Sequence, residues 1–213
     1  MSEQLPGGGI ELSPDEIEAL HSRWSSSWTP SEVARRLDGI TTPWCVAAGW
    51  ALDLFRGRQT RAHGDIEIAI PAAGFPEVRH RFPGYAFDAA GSGRIWEDAA
   101  PEVLAAVHQT WLRDPATGDY LLDVFREPHD GDTWICRRHE GIRLPYSEVI
   151  HRDREGTPYL APELVLLFKA KHARPKDRRD FDETVPHLTS AQRGNLAELI
   201  ARVHPGHPWL ADL

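Results

Sequence analysis

The chain contains few cysteines, no long apolar run and no surplus of positive charge. Its two cysteines, Cys45 and Cys136, form no C-x-x-C pair, so neither a disulfide framework nor a structural zinc site is expected. No segment approaches the length of a membrane span, and the N-terminus lacks the basic start and apolar core of an export signal. These absences predict a cytoplasmic protein without a membrane partner.

The charge balance argues against another class of partner. The 213 residues include 32 acidic side chains and 24 lysines and arginines, which gives a net charge of −8 with neutral histidines. A nucleic-acid backbone requires a broad basic surface, which this balance does not favour. We therefore expect no nucleic-acid partner, and we expect any contact with phosphate to be local.

The hydrophobic pattern predicts a mixed α/β core followed by helices. Two early helices begin with a capping hydroxyl and a returning glutamate, in Ser13-Pro14-Asp15-Glu16 and Thr29-Pro30-Ser31-Glu32. Further elements are expected as helices at 50–56 and 75–81 and as strands at 44–48, 65–70, 85–88, 94–97, 103–112, 120–125 and 133–137. A loop-rich passage follows, and the pattern is helical from Pro162 onward. We expect two subdomains, 1–160 and 161–213.

Asp65 and Glu67 alternate with Ile66, Ile68 and Ile70, which is the period of a strand with one buried face. Both carboxylates then leave the same face, roughly 6 to 7 Å apart along the strand. This spacing suits ligands that hold Mg²⁺ on a polyphosphate, because phosphate oxygens require hard cationic partners. Any half-solvated strand shows the same alternation, so the pair alone leaves both explanations open.

A third carboxylate, Asp123, stands in the otherwise apolar segment 120–125. The strand looks buried on both faces, so this carboxylate needs a partner. A metal ion would supply one. Alternatively, burial would raise its pKa and suit it to take a proton from an attacking hydroxyl. Pairing with an arginine, or a place at the sheet edge, would explain Asp123 without a function.

Other residues are candidates for holding phosphate. Gly49 lies where a strand turns into a helix, and the N–H groups of such a turn can bind phosphate, although a single glycine is usually only a turn. Arg61 could clamp a phosphate, and His63 could tune the site, since Mg²⁺ prefers oxygen ligands. Lys169 belongs to a basic run that either forms a solvated helix face or supplies one lysine to a triphosphate.

Several segments resemble a known signature when taken together. They are Ala48-Gly49-Trp50-Ala51-Leu52-Asp53, Gly57-Arg58-Gln59-Thr60-Arg61-Ala62-His63-Gly64-Asp65-Ile66-Glu67, Tyr159-Leu160-Ala161-Pro162-Glu163, Lys169-Ala170-Lys171 and Lys176-Asp177-Arg178-Arg179-Asp180-Phe181. They resemble the aminoglycoside-2''-adenylyltransferase-like and lincosamide nucleotidyltransferase family of the polymerase-β-type superfamily. The resemblance implies an α+β fold, a nucleotidyltransferase core sheet flanked by helices with a C-terminal helical subdomain.

The resemblance also implies an activity, the transfer of AMP from ATP to a hydroxyl of a small acceptor such as an aminoglycoside or a lincosamide. Asp65, Glu67 and Asp123 would form the catalytic set, with Mg²⁺ on the carboxylates and Asp123 activating the hydroxyl. The residues expected near the nucleotide are Gly49 and Trp50 in the phosphate turn, with Arg61, His63, Lys169 and Lys176 around it.

The sequence departs from the family pattern at two positions, and Trp50 stands where the wider superfamily has a serine. Ala48 replaces the first glycine of a pair, which is a mild change if Ala48 keeps ordinary backbone angles, and Glu67 replaces the commoner aspartate. Two alternatives remain at this point. One is a catalytically silent nucleotide-binding module, such as a toxin-antitoxin-type regulator, and the other is a protein adenylyltransferase. Retention of all three carboxylates favours an enzyme.

Overall fold

The computed structural model describes residues 6–213. In chain order the strands are β1 (Ile10–Glu11), β2 (Cys45–Val46), β3 (Glu67–Pro71), β4 (Ala86–Gly91), β5 (Arg94–Trp96), β6 (Gln109–Arg113), β7 (Tyr120–Glu127), β8 (His129–Asp130), β9 (Thr133–Ile135), β10 (Arg143–Pro145), β11 (Ile150–Arg152) and β12 (Pro158–Leu160). The α-helices are α1 (Pro14–Ser22), α2 (Pro30–Arg36), α3 (Ala48–Arg56), α4 (Phe75–Arg81), α5 (Pro101–Ala106), α6 (Tyr146–Val149), α7 (Pro162–Ala170), α8 (Pro175–Thr184) and α9 (Ser190–Val203). The mixed α+β class is therefore confirmed.

The chain forms two compact units, and each is built from two separate stretches. The first unit combines the residues up to Trp44 with His63–His129, and the second combines Cys45–Ala62 with Asp130–Leu213. The subdomains predicted from the sequence, 1–160 and 161–213, stay a prediction. The expected change to helical structure after residue 160 is confirmed by α7, α8 and α9.

The first unit contains a mixed sheet in the order β1-β5-β4-β6-β7-β3. β6 and β7 form the expected antiparallel hairpin, and β3 runs parallel to β7, with Glu67 opposite Asp123. One sheet face carries apolar residues that are at most 1% exposed, including Ile66, Ile68 and Ile70. Burial of such side chains contributes roughly 1.5–3 kcal/mol each, so the alternation in β3 fixes which face carries the acids.

The second unit packs helices beside short strands. β2 pairs in parallel with β12 through Val46 and Tyr159, and β11 pairs antiparallel with β12. α7 packs against α3, α8 and α9, and its apolar residues from Leu164 to Leu167 are all buried. Of residues 6–213, no helix is long and apolar enough to span a membrane.

Local signals predicted many element boundaries. Both expected capping boxes are confirmed, at Ser13 with Glu16 and at Thr29 with Glu32, and α4 occupies the predicted range. The strand predicted at 103–112 is wrong in its first half, because Pro101 opens helix α5 there. The passage expected to be loop-rich instead contains β10, α6, β11 and β12, which are too short to leave a periodic signal.

Candidate active site

The pairing of β3 with β7 places two of the predicted carboxylates, Glu67 and Asp123, side by side. Glu67 is the first residue of β3 and lies directly opposite Asp123, so both side chains leave the same face of the sheet. The strand begins at Glu67 rather than at Asp65. The Asp123 N–H nevertheless donates to the Ile66 carbonyl at 2.9 Å, which extends the ladder one residue further. Asp65 precedes Glu67 by two residues, the spacing that returns an extended chain to the same face.

Asp123 is held in an interior strand. Its side chain is 3% exposed, and β7 has a hydrogen-bonded neighbour on each edge, β3 and β6. The Gln109 side-chain amide donates to Asp123 Oδ2 at 2.5 Å. Asp65 and Glu67 are only partly buried. The arrangement therefore places one carboxylate inside the protein beside two that solvent or a ligand can reach.

The carboxylates suit a cation that arrives together with a nucleotide. Within residues 6–213, no three His, Cys, Asp or Glu side chains are grouped so that they alone could hold a metal ion. Mg²⁺ is usually bound by one or two carboxylates together with substrate phosphates and water, rather than by a complete cage of protein ligands. Asp65 and Glu67 therefore fit Mg²⁺ on a polyphosphate. The predicted metal role of these residues and of Asp123 stays a prediction.

The turn into α3 belongs to the second unit. Its N-cap residue Ala47 makes no side-chain hydrogen bond to the first turn. The first N–H groups of any helix have no partner within the helix itself. Such N–H groups can bind an anion. Gly49 is buried and Trp50 is partly buried in this first turn. Ala48 has a φ of 48°, so it does not keep ordinary backbone angles.

Two of the predicted phosphate-binding cations already contact carboxylates in the second unit. Arg61 lies 3.1 Å from Asp180 through its Nε, and the Lys169 ammonium lies 2.8 Å from the same carboxyl group. Lys176 is exposed on α8, and His63 is partly buried. The roles predicted for these four side chains at a nucleotide stay predictions.

Sequence reasoning missed the polar partners of the site residues. Gln109 is a neutral residue in β6, and its approach to Asp123 depends on the register of the hairpin. Asp180 was one acid among several in a charged helix, although its spacing of three from Asp177 places both on one helix face. Both aspartates are buried, with exposures of 0% and 2%. That burial could not be read from local composition.

Comparison with solved structures identifies the fold. The solution structure of the antibiotic-resistance factor ANT(2'')-Ia aligns with a TM-score of 0.52 and 16% identity over 89% of this chain and 94% of that chain. The fold is thus that of the polymerase-β-type nucleotidyltransferases, as the sequence predicted. The lincomycin-bound lincosamide antibiotic adenylyltransferase LnuA aligns with a TM-score of 0.43 and 17% identity, covering 89% of this chain and 98% of that chain.

Sequence comparison agrees with this fold over part of the chain. Residues 31–100 match the family model described as aminoglycoside-2''-adenylyltransferase, a range that contains Gly49, Asp65 and Glu67 but not Asp123. The resemblance to this family predicted from the sequence is therefore confirmed. A search of curated proteins found no match.

Proposed function

We propose that this protein is a Mg²⁺-dependent nucleotidyltransferase that moves a nucleoside monophosphate, AMP from ATP, to a hydroxyl of a small molecule. The observation that carries the proposal is the register of β3 and β7, which sets Glu67 opposite the buried Asp123 and two residues after Asp65. The fold shared with ANT(2'')-Ia and the family match over residues 31–100 support an enzyme of this class.

Each residue of the candidate site has a distinct task in this proposal. Asp65 and Glu67 would hold Mg²⁺, which when bound neutralises charge on the triphosphate and helps to deprotonate the hydroxyl. Asp123 accepts the proton of the acceptor hydroxyl as the oxygen attacks the α-phosphorus and pyrophosphate leaves. Gln109 keeps the Asp123 carboxylate oriented through its amide hydrogen bond. Gly49, at the start of α3 in the second unit, stays predicted as a phosphate-binding position.

The acceptor is expected to be an aminoglycoside-like or lincosamide-like molecule. The family match over residues 31–100 and the fold shared with the antibiotic-resistance factor ANT(2'')-Ia both favour this class. The net charge of −8 would also favour the approach of a cationic acceptor. The proposal therefore names a class of antibiotic as the acceptor and not one compound.

A transfer assay tests the proposal directly. The purified protein is incubated with each α-³²P-labelled NTP, Mg²⁺ and a panel of aminoglycosides, lincosamides and cell extract, and label on the acceptor is measured. Wild-type protein should label at least one small acceptor from ATP. The Asp65→Asn variant should be slower by about 10²-fold or more, because it removes a charge that the transition state needs. Asp38→Asn, the same change at an exposed position, should retain full activity.

Each outcome of this assay bears on a different part of the proposal. Full transfer by Asp65→Asn would contradict the metal role of that carboxylate. Nucleotide binding without transfer to any acceptor would instead indicate a silent nucleotide-binding module. Label that appears only on protein in the extract would indicate a protein adenylyltransferase.

A further inference from the structure

A row of side chains crosses the sheet of the first unit at the level of Asp123. Trp111 of β6 is paired with Asp88 of β4 on one side and with Asp123 of β7 on the other. Glu67 of β3 follows beyond Asp123. Directly paired residues leave the same face of a sheet, and neighbouring strands lie about 4.8 Å apart. Trp111 is therefore an immediate neighbour of Asp123, on the side away from Glu67.

Trp111 lies at the border between a covered and an open part of this face. Its ring packs edge-to-face against Trp24 and Tyr120, with ring centroids 5.5 and 5.0 Å apart. On the covered side, Asp88 is 0% exposed. Trp111 itself is only partly buried. Solvent therefore reaches this aromatic residue next to Asp123.

The indole N–H of Trp111 has no hydrogen-bond partner among residues 6–213, although its nitrogen is buried. Trp96, on the opposite face of the same sheet, donates its own indole N–H to the Gly7 carbonyl at 3.4 Å. A buried donor without a partner is destabilising, and phenylalanine would fill the position without that cost. Packing within the described protein therefore does not account for a tryptophan at this position.

The order of the row separates the two substrates of the proposed reaction. The argument rests on the proposed function, in which Mg²⁺ and the nucleotide are held on the Glu67 side of Asp123. The acceptor hydroxyl must come within hydrogen-bond reach of the Asp123 carboxylate, about 2.6–3.2 Å. The Cβ atoms of directly opposed residues are about 4.5–5.5 Å apart. An acceptor that reaches Asp123 from the side away from the nucleotide therefore lies against Trp111.

We propose that Trp111 is an acceptor-binding residue, whose indole ring receives the C–H face of a saturated, sugar-type ring that carries the attacked hydroxyl. A flat aromatic ring supplies a large apolar contact area, while a polar group beside it fixes the orientation of the ligand. An ammonium group on the acceptor adds attraction, because tryptophan is the aromatic residue that binds cations best. Trp111 thus favours amino-sugar acceptors over anionic ones.

Substitution of the ring tests this role in steady-state transfer assays. Trp111→Leu keeps an apolar side chain but removes the flat ring. It should raise the KM for the acceptor by about tenfold or more and change the KM for ATP by less than about threefold. Trp111→Phe retains a flat ring and should raise the acceptor KM by less than about threefold. Trp96→Leu, the matched change on the opposite face, should leave both KM values unchanged.

Indole N–H signals in a ¹⁵N–¹H correlation spectrum report binding without any transfer. The Trp111 signal is the one lost in Trp111→Phe, and the Trp96 signal is the one lost in Trp96→Leu. Wild-type protein is titrated with the acceptor found in the transfer assay, or with kanamycin and lincomycin where none is found. The titration should shift the Trp111 signal and leave the Trp96 signal in place.

The outcomes separate this inference from the proposed function. An acceptor KM that Trp111→Leu does not change, or a titration that leaves the Trp111 signal in place, would overturn the inference. An equal loss in Trp111→Phe and Trp111→Leu would also contradict it, because phenylalanine keeps the ring. If kanamycin or lincomycin shifts the signal while no nucleotide is transferred, the acceptor site stands and the proposed function fails. The titration of wild-type protein decides the question if a variant does not fold.

Discussion

Ala48 offers a test of strain at the phosphate turn. Its φ of 48° lies in the left-handed region, where a side chain costs about 1–2 kcal/mol relative to glycine. Glycine also loses more backbone entropy on folding than alanine does. This loss offsets about 0.5–1 kcal/mol of the stability gained by relieving the strain. We therefore expect Ala48→Gly to raise the free energy of unfolding by about 0.5–1 kcal/mol. For a chain of this size the melting temperature should rise by roughly 1–4 °C.

The free energy of unfolding and the melting temperature are measured by urea and thermal denaturation. Two other alanine-to-glycine variants provide controls. Ala51 is 0% exposed in the same helix and has no positive φ, so Ala51→Gly should destabilise by about 2 kcal/mol through lost packing and lower helix propensity. Ala173 has a φ of 43° and is exposed, so Ala173→Gly should stabilise as Ala48→Gly does. Destabilisation by Ala48→Gly as large as that of Ala51→Gly would refute the strain argument.

Two further predictions concern stability. Asp88 is 0% exposed and accepts two hydrogen bonds from Arg113. Asp88→Ala should therefore lower the free energy of unfolding, measured by urea denaturation, by about 3–5 kcal/mol. The control Asp38→Ala, at an exposed position, should leave it almost unchanged. A loss of less than about 1 kcal/mol in the free energy of unfolding of Asp88→Ala would contradict the role of the buried ion pair. Hydrogen bonds from the Thr42 hydroxyl and two backbone N–H groups lower the pKa of Glu77 from 4.5 to about 2. The ionised carboxylate should therefore make wild type more stable than Glu77→Gln above pH 4.5, and the difference in melting temperature should shrink as pH falls toward 2. A difference that does not depend on pH would contradict this assignment.

Signals within a few residues predicted the helix starts well. The capping boxes at Ser13 and Thr29, and the prolines that open α7 and α8, each satisfy backbone groups locally and need no distant partner. The same kind of signal stands at Pro101, which begins α5, although the apolar residues after it predict a strand. Local chemistry therefore fixes where a helix begins, whereas apolar content alone does not separate a short helix from a strand.

The contacts of the candidate site depend on tertiary register and are harder to predict. The start of β3 at Glu67 is set by its pairing with β7, not by the isoleucine alternation that continues upstream to Ile66. Gln109 reaches Asp123 across a hairpin that contains a register shift between Leu112 and Arg113. A single sequence carries no signal for such a diagonal contact. The identities of the acids could be predicted, while the groups that orient them could not.

Asp123 bears on the two explanations that the alternation of Asp65 and Glu67 left open. A half-solvated strand explains acids that face water, and it would suffice for Asp65 and Glu67, which are only partly buried. It cannot explain a carboxylate that is 3% exposed in an interior strand, where neither an edge position nor solvent offsets the loss of hydration. The amide of Gln109 donates one hydrogen bond to this carboxylate. Because Glu67 stands directly opposite, two like charges share this end of the sheet, and a bound cation would stabilise both.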